Sequence, residues 1–309
     1  MLIKPAKLAL AQTDCVLGNV ARNVEIHVDA IERAIDAKAD AIIFPELSLT
    51  GYTLRDLNFE VALDPSTAKV LDPIRKQSKK ITVICGGVEE DKSAAVYNAA
   101  FVFEDGELIH THRKLYPPTY GIFEEMRYFS RGNDLVAFES KRLGRVGVLV
   151  CEDLWHPVLP YVLAQQRAQL IVTIAASPTR LDTGDDAIAT IEPQNYTTNR
   201  EHHATYSRLL GVYLAFVNRV GVEDGVNFWG GSEVMQPSGE PCVVAKFFDP
   251  DLCFADLDPS QVRQARQLSR HFLDEDRLLT QKLISRLSGL STDEEANLIS
   301  GRPGGENGG

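Results

Sequence analysis

An α/β protein with mixed sheets layered against helices is the fold class the sequence predicts, and three observations predict it. Short apolar runs rich in β-branched residues alternate with segments of helical period. Asp-Gly and Pro-Ser-Gly turns join neighbouring apolar runs as hairpins, so the sheets are not purely parallel. The chain has 309 residues, 44% of them hydrophobic. That suffices for a large core, at a size that layered α/β folds often reach as one unit.

KLALAQT (7–13) reads as a buried strand. Over 20–38, Val20, Val24, Val28, Ile31 and Ile35 recur at three- and four-residue steps, which predicts an amphipathic helix. DAIIFPEL (40–47) is a second apolar strand, and 66–80 reads as a helix broken or kinked before Pro73. ITVICGGVEE (81–90) precedes a hairpin over 97–114 that turns at Glu104-Asp105-Gly106-Glu107. A long aromatic loop (115–133) leads to a second hairpin, turning near Arg142-Leu143-Gly144. Next come a helix (157–168), a buried strand (169–177), a helix (192–211) and the strand VYLAFVNRVG. A late hairpin turns around Pro237-Ser238-Gly239, and a charged helix spans 259–288. Residues 1–290 are expected to form one domain, and the Gly-rich stretch 291–309 a flexible tail.

The net charge of −11 argues against a nucleic-acid surface, and no basic patch with interleaved aromatics occurs. The N-terminal apolar run is too short for a signal peptide, and no run reaches the roughly 20 residues that span a bilayer. Five widely spaced cysteines, none in a C-x-x-C pair, point to a reducing cytoplasm and away from structural zinc.

Three apolar strands end abruptly in a chargeable residue: AIIFPE in Glu46, LIHTHRK in Lys114 and VGVLVC in Cys151. Such ends are where a rigid scaffold meets an accessible cleft. Singly, Glu46 reads equally as a loop cap, Lys114 as a solvated base and Cys151 as inert core. Together their chemistries complement one another. A cysteine attacks as thiolate and needs a base or a positive neighbour. Glu46 can take the proton and return it to a leaving amine, while Lys114 and the Glu152 N–H can hold an oxyanion.

Glu46 in FPELSLTGY, Lys114 in HRKLYPPTYGIFEEMRYF and Cys151 in GVLVCEDLW resemble, in order, the three signature segments of the nitrilase superfamily of carbon–nitrogen hydrolases. The resemblance implies an α-β-β-α sandwich, a Glu-Lys-Cys triad and a thioester intermediate, with no metal or other cofactor. It also implies a homodimer or larger homo-oligomer. A second glutamate, Glu125 in GIFEEMRYF, matches the residue that orients the lysine; Glu124 is its neighbour. CEDLW, YGIFEEMRYF and NRVGVEDGVNFWGGSEVMQPSGE are most similar to the glutamine-amidase domain of glutamine-dependent NAD synthetases. That likeness assigns Tyr52, Glu152 and Ser177 to the substrate pocket, Glu152 against the α-amino group.

Two departures stand out. No Ser-Gly-Gly-rich pyrophosphate loop follows, so the expectation is a chain that releases ammonia without consuming it. SPTRLDTGDD carries Arg180, Asp185 and Asp186, which breaks the branch pattern for the substrate carboxylate. The expected activity is hydrolysis of a small primary amide, glutamine-like or aliphatic, to acid and ammonia. Alternatives are an N-carbamoyl amine hydrolase, a nitrilase, or a glutaminase subunit serving a separate synthetase. A nitrilase typically has Trp-Glu after its cysteine, where this chain has Glu152-Asp153. His110 and His112 read as structural, His202 and His203 as surface residues, and Trp155 and Trp229 as pocket wall or core.

Overall fold

The computed structural model describes residues 5–179 and 195–287. In chain order the elements of the main unit begin with β1 (Ala6–Gln12), α1 (Val20–Asp36), β2 (Ala41–Ile43), α2 (Asn58–Val61), α3 (Asp72–Ser78) and β3 (Thr82–Glu90). They continue with β4 (Val96–Glu104), β5 (Glu107–Arg113), α4 (Glu125–Tyr128), β6 (Phe138–Ser140), β7 (Gly144–Val150) and α5 (Val158–Gln165). Then follow β8 (Leu170–Ala175), β9 (Pro178–Thr179), α6 (Tyr196–Leu210), β10 (Tyr213–Asn218), β11 (Val220–Glu223) and β12 (Val226–Trp229). The unit closes with β13 (Glu233–Met235), β14 (Pro241–Val244), β15 (Asp251–Leu257) and α7 (Pro259–Leu268).

Two six-stranded sheets carry the fold, ordered β15-β1-β2-β3-β4-β5 and β14-β13-β10-β8-β7-β6. Each has three parallel strands at its heart (β1, β2, β3 and β7, β8, β10) and antiparallel strands outside them. Alternation decides which residues face where. Leu8 and Leu10 of β1, Val146, Val148 and Val150 of β7, and Leu170, Val172 and Ile174 of β8 meet in the layer between the sheets. Ala9, Ala11, Val83, Cys85, Phe101 and Phe103 point the other way and pack with Val24, Ile31 and Ala34 of α1 and Ile74 of α3. On the second sheet α5 lies so close that a Cβ on Gly147 would meet Leu163 Cδ1 at 2.7 Å. With α6 beside β10, the layers run helix, sheet, sheet, helix: the α-β-β-α sandwich of the nitrilase superfamily.

Local chemistry sets the element ends. Asn19 Oδ1 accepts from the Arg22 N–H at 3.1 Å to open α1, and Lys38 at φ 60° closes the turn after it. The predicted break before Pro73 is a helix start: a 3₁₀ turn over Lys69–Leu71 hands over to α3 with proline in its first turn. The hairpin between β4 and β5 turns on Asp105 and Gly106, both at positive φ, as expected from Asp-Gly. A second Asp-Gly turn was not anticipated. Asp224 at φ 48° and Gly225 at φ 78° join β11 to β12, which form a small third sheet with β9.

The single charged helix expected over 259–288 is two helices. A separate unit begins at Leu268 and contains a 3₁₀ turn (Arg270–Phe272) and α8 (Arg277–Leu287). Asp276 accepts from the Leu278 and Leu279 N–H groups at 3.1 and 3.0 Å, so it caps a new helix where the period alone suggested continuation. The predicted tail (291–309), Arg180, Asp185 and Asp186 lie outside the described residues. No helix among the described residues is long and apolar enough to cross a membrane.

Candidate active site

Glu46 follows β2, Lys114 follows β5 and Cys151 follows β7. Because β4 is antiparallel to both of its neighbours, β5 runs with β3 and hence with β2. Glu46 and Lys114 therefore leave the first sheet at the same edge. Cys151 leaves the second sheet at the carboxyl end of its parallel strands, the usual location of clefts in open α/β sheets.

Glu46 is fully buried. Its Oε1 accepts from Lys114 Nζ and Asn98 Nδ2, each at 2.7 Å. Its Oε2 accepts from the Ala176 N–H at 2.8 Å, a bond that joins the ends of the two sheets. Lys114, also buried, bridges Glu46 and Glu125, donating to Glu125 Oε1 at 2.7 Å. Tyr52 donates its hydroxyl to the same Glu125 oxygen at 2.6 Å, and Asn98 Nδ2 reaches Glu125 Oε2 at 3.3 Å. Two carboxylates around one ammonium leave the cluster acidic, and its proton affinities follow. Burial opposes the Lys114 charge, but Glu125 and Glu46 together hold its ammonium well above the ordinary lysine value. Burial pushes the Glu125 carboxyl up; Lys114 counteracts and Glu46 reinforces. Burial also pushes the Tyr52 phenol up, with Glu125 and Glu46 adding to it.

Cys151 sits at φ 47°, left-handed backbone that a cysteine rarely adopts, between the extended Val150 and the 3₁₀ turn Cys151–Trp155. The chain bends abruptly there, and Cys151 keeps part of its surface exposed while its strand is enclosed. Burial, with Glu46 next, pushes the thiol well above its ordinary value; Lys114 and a hydrogen bond from the Ala176 backbone pull the other way. A thiol held toward its neutral form beside a buried carboxylate and an ammonium suits base-assisted attack.

Glu152 follows the cysteine directly, and Ser177 lies just past the end of the neighbouring parallel strand β8. Tyr120 donates its hydroxyl to Glu152 Oε2 at 2.8 Å. Tyr120 and Phe123 also wall a cleft of about 630 Å³ with Ile122, Pro178, Thr179 and Val226, a volume suited to a small molecule. Phe123 stands edge-on to Tyr52, so the cleft wall is continuous with the buried cluster. Ser177 Oγ accepts from Trp229 Nε1 at 3.1 Å, and its N–H donates to Asn218 Oδ1 at 2.8 Å. Trp229 is core, whereas Trp155 is largely exposed. Of the seven expected residues, Glu46, Lys114, Glu125 and Tyr52 are linked by direct hydrogen bonds. Cys151 is coupled to them by charge, and Glu152 and Ser177 lie alongside it in sequence or across the strand ends.

Two residues escaped the sequence reading. Asn98 is the third residue of the largely apolar β4 and touches both carboxylates. Asp153 accepts from the N–H groups of Leu115 and Tyr116, both at 3.0 Å, and of Val150 at 3.1 Å. His203 is a correction: it is buried, not on the surface, with Nδ1 2.7 Å from Glu233 Oε1. The helix period explains it, since His202 and His203 point about 100° apart. Among the described residues no group of three or more His, Cys, Asp or Glu side chains converges as a metal site.

The family model for carbon–nitrogen hydrolases matches residues 7–267, nearly the whole main unit. The chain belongs to the carbon–nitrogen hydrolase family. It is a hydrolase of carbon–nitrogen bonds, and glutamine-dependent NAD(+) synthetases are among its relatives. It is 32% identical over 262 residues to the glutamine-dependent NAD(+) synthetase of Thermotoga maritima, covering 83% of this chain and 42% of that one. It is 31% identical to the Acinetobacter baylyi synthetase, covering 84% and 46%. The chain thus spans less than half the length of these relatives. The structure of the glutamine-dependent NAD+ synthetase of Acinetobacter baumannii superimposes with a TM-score of 0.72 at 29% identity, over 84% of this chain and 47% of that one. A Saccharomyces cerevisiae member of branch 10 of the nitrilase superfamily gives 0.75 at 21% identity, over 89% and 97%, and supports the fold alone.

Proposed function

We propose that this carbon–nitrogen hydrolase is a cysteine-dependent amidase that converts a small primary amide with an amino-acid-like head into acid and ammonia. The observation that carries the reading is the buried Glu46–Lys114–Glu125 cluster placed against a cysteine at a strained strand end. Glu46 Oε1 already accepts two donors and Oε2 only one, so Oε2 is the oxygen with room for a proton. In the proposed cycle the Cys151 thiol gives its proton to Glu46 and its sulfur attacks the amide carbon. Lys114 and the Glu152 N–H hold the oxyanion. Collapse breaks the C–N bond, and Glu46 returns the proton to the nitrogen, which leaves as ammonia. Water then gives a proton to Glu46 and attacks the thioester; the carboxylic acid departs and the thiol is restored. Glu125 and Tyr52 hold Lys114 in place.

For the head group, the Glu152 carboxylate at the cleft is suited to a substrate ammonium, and the glutamine-dependent relatives favour glutamine. Ser177 stands on the same side. The test is ammonia release across glutamine, asparagine, aliphatic amides, carbamoyl amines and nitriles, with mass spectrometry for an acyl adduct on Cys151. Cys151→Ala should abolish turnover, and Glu152→Gln should raise KM for glutamine about tenfold while leaving aliphatic amides little changed. Activity on no amide, or retained activity in Cys151→Ala, would refute the reading. A second reading, favoured by the synthetases among the relatives, makes the same chemistry the ammonia source for a separate synthetase. Measuring glutaminase activity with and without that partner separates the two. Assembly as a homodimer or larger oligomer belongs to the same proposal and is checked by light scattering.

A further inference from the structure

Asn98 makes contact with all three charged members of the buried cluster. Its side-chain Nδ2 donates to Glu46 Oε1 at 2.7 Å and to Glu125 Oε2 at 3.3 Å. Its backbone carbonyl accepts from the Lys114 N–H at 2.8 Å, fixing the point where the lysine leaves β5. The residue is fully buried, and its Oδ1 has no hydrogen-bond partner among the described residues. An unpaired buried acceptor is costly and uncommon, and calls for an explanation in what its other atoms do. Here the amide cannot flip to relieve it, because that would set Oδ1 against two carboxylates. An apolar residue, the default in a strand flanked by Ala99, Ala100 and Phe101, would leave both carboxylates short of a donor.

We propose that Asn98 is a positioning residue that keeps Glu46 and Glu125 ionised together around Lys114, and so keeps Glu46 available as the base. The inference rests on the amidase reading above. A neutral donor shared by two carboxylates favours their charged forms without adding charge of its own. A second lysine would instead neutralise the cluster, and an acid would add to its repulsion. Removing the donor makes it easier for the cluster of Glu46, Glu125, Lys114, Tyr52 and Cys151 to take up a proton, so the acid limb of the Cys151 reaction moves to higher pH than in the wild type.

The experiment measures the rate of Cys151 alkylation by iodoacetamide, read by mass spectrometry, and amide turnover, both from pH 5 to pH 9, in the wild type, Asn98→Asp and Asn98→Ser. The serine removes the shared donor without adding charge, its hydroxyl being too short to serve both acids, while the aspartate keeps the shape and adds a carboxylate's repulsion to the loss of the donor. Circular dichroism establishes which variants are folded. The acid limb should move up by about one pH unit or more in Asn98→Asp and by less in Asn98→Ser, so that alkylation below the wild-type midpoint falls about tenfold in the former. A folded Asn98→Ser whose limb stays in place, whether its rate is unchanged or lowered evenly at every pH, overturns the assignment even if the limb moves in Asn98→Asp. If wild-type Cys151 reacts no faster than Cys253, the underlying amidase reading fails instead, so the two failures are distinct.

Discussion

His112 Nε2 and Asp153 Oδ2 lie 2.9 Å apart in the buried layer between the strand that delivers Lys114 and the turn that delivers Cys151. The same carboxylate accepts the N–H groups of Leu115, Tyr116 and Val150, so one side chain ties the exit of β5 to the exit of β7. Asp153→Ala would leave these buried donors without an acceptor and should cost about 3–5 kcal/mol in urea unfolding. His112→Phe removes one bond and should cost about 1–2 kcal/mol. Equal losses in the two variants would show that the backbone bonds to Asp153 matter little.

Gly86 of β3 bears on the opposite side of the site. A Cβ there would lie 2.7 Å from Pro45 O and 2.9 Å from the Glu46 carbonyl carbon, and closer still to Leu47 N. These are backbone atoms, so the clash cannot be relieved by a rotamer change. Gly86→Ala should push the Pro45–Leu47 segment away and displace Glu46 from Lys114. A misplacement of about 1 Å at a catalytic group is worth about a hundredfold in rate. The expected result is a kcat down by about that factor, with the far-ultraviolet spectrum retained. Unaltered kcat would mean that β3 yields instead.

The charged ends of apolar strands were legible because a polar residue after an apolar run is a one-dimensional pattern, and the sandwich places such ends together. Asn98 was not, since its role depends on Glu46 and Glu125 meeting from other segments, which no local pattern records. Asp153 carries no local signal either, because the N–H groups of Leu115 and Tyr116 come from a distant strand exit. The β11–β12 hairpin did carry its signal in Asp224-Gly225, but its strands are only four residues each and offered little alternation around it. The long terminal helix failed because charged faces of similar period run through both halves, while the break depends on the Asp276 cap.

Two histidines give the fold a pH dependence of definite sign. Burial pushes His27 down to about 4; its Nδ1 lies 2.7 Å from Asn23 O and its Nε2 3.0 Å from Ser48 Oγ. Burial likewise pushes His110 down to about 4, with His112 adding to the effect. A folded value below that of the unfolded chain means the unfolded state binds more protons in between. The stability from neutral His27 is therefore whole above pH 6.5 and lost as pH falls toward 4. For His27 alone the loss is on the order of 3 kcal/mol. His27→Gln should lower stability at pH 7.5 but flatten the fall between pH 6.5 and 4, measured by urea midpoints at each pH. Parallel curves for variant and wild type would contradict the assignment.

The left-handed Cys151 backbone separates the nucleophile role proposed for the residue from what its conformation costs the fold. At φ 47° any side chain with a Cβ is disfavoured by about 1–2 kcal/mol, whereas glycine is not. Glycine also gains more freedom in the unfolded chain, which offsets roughly 0.5–1 kcal/mol of that relief. Cys151→Ala and Cys151→Gly both lack the sulfur and should both be inactive. The glycine variant should nevertheless be the more stable of the two, by up to about 1 kcal/mol in urea unfolding. That order reverses the usual ranking of alanine above glycine next to a buried strand. If alanine proves the more stable, the bend after β7 is not strained, and the position of the thiol is set by the hydrogen bonds of Asp153 alone.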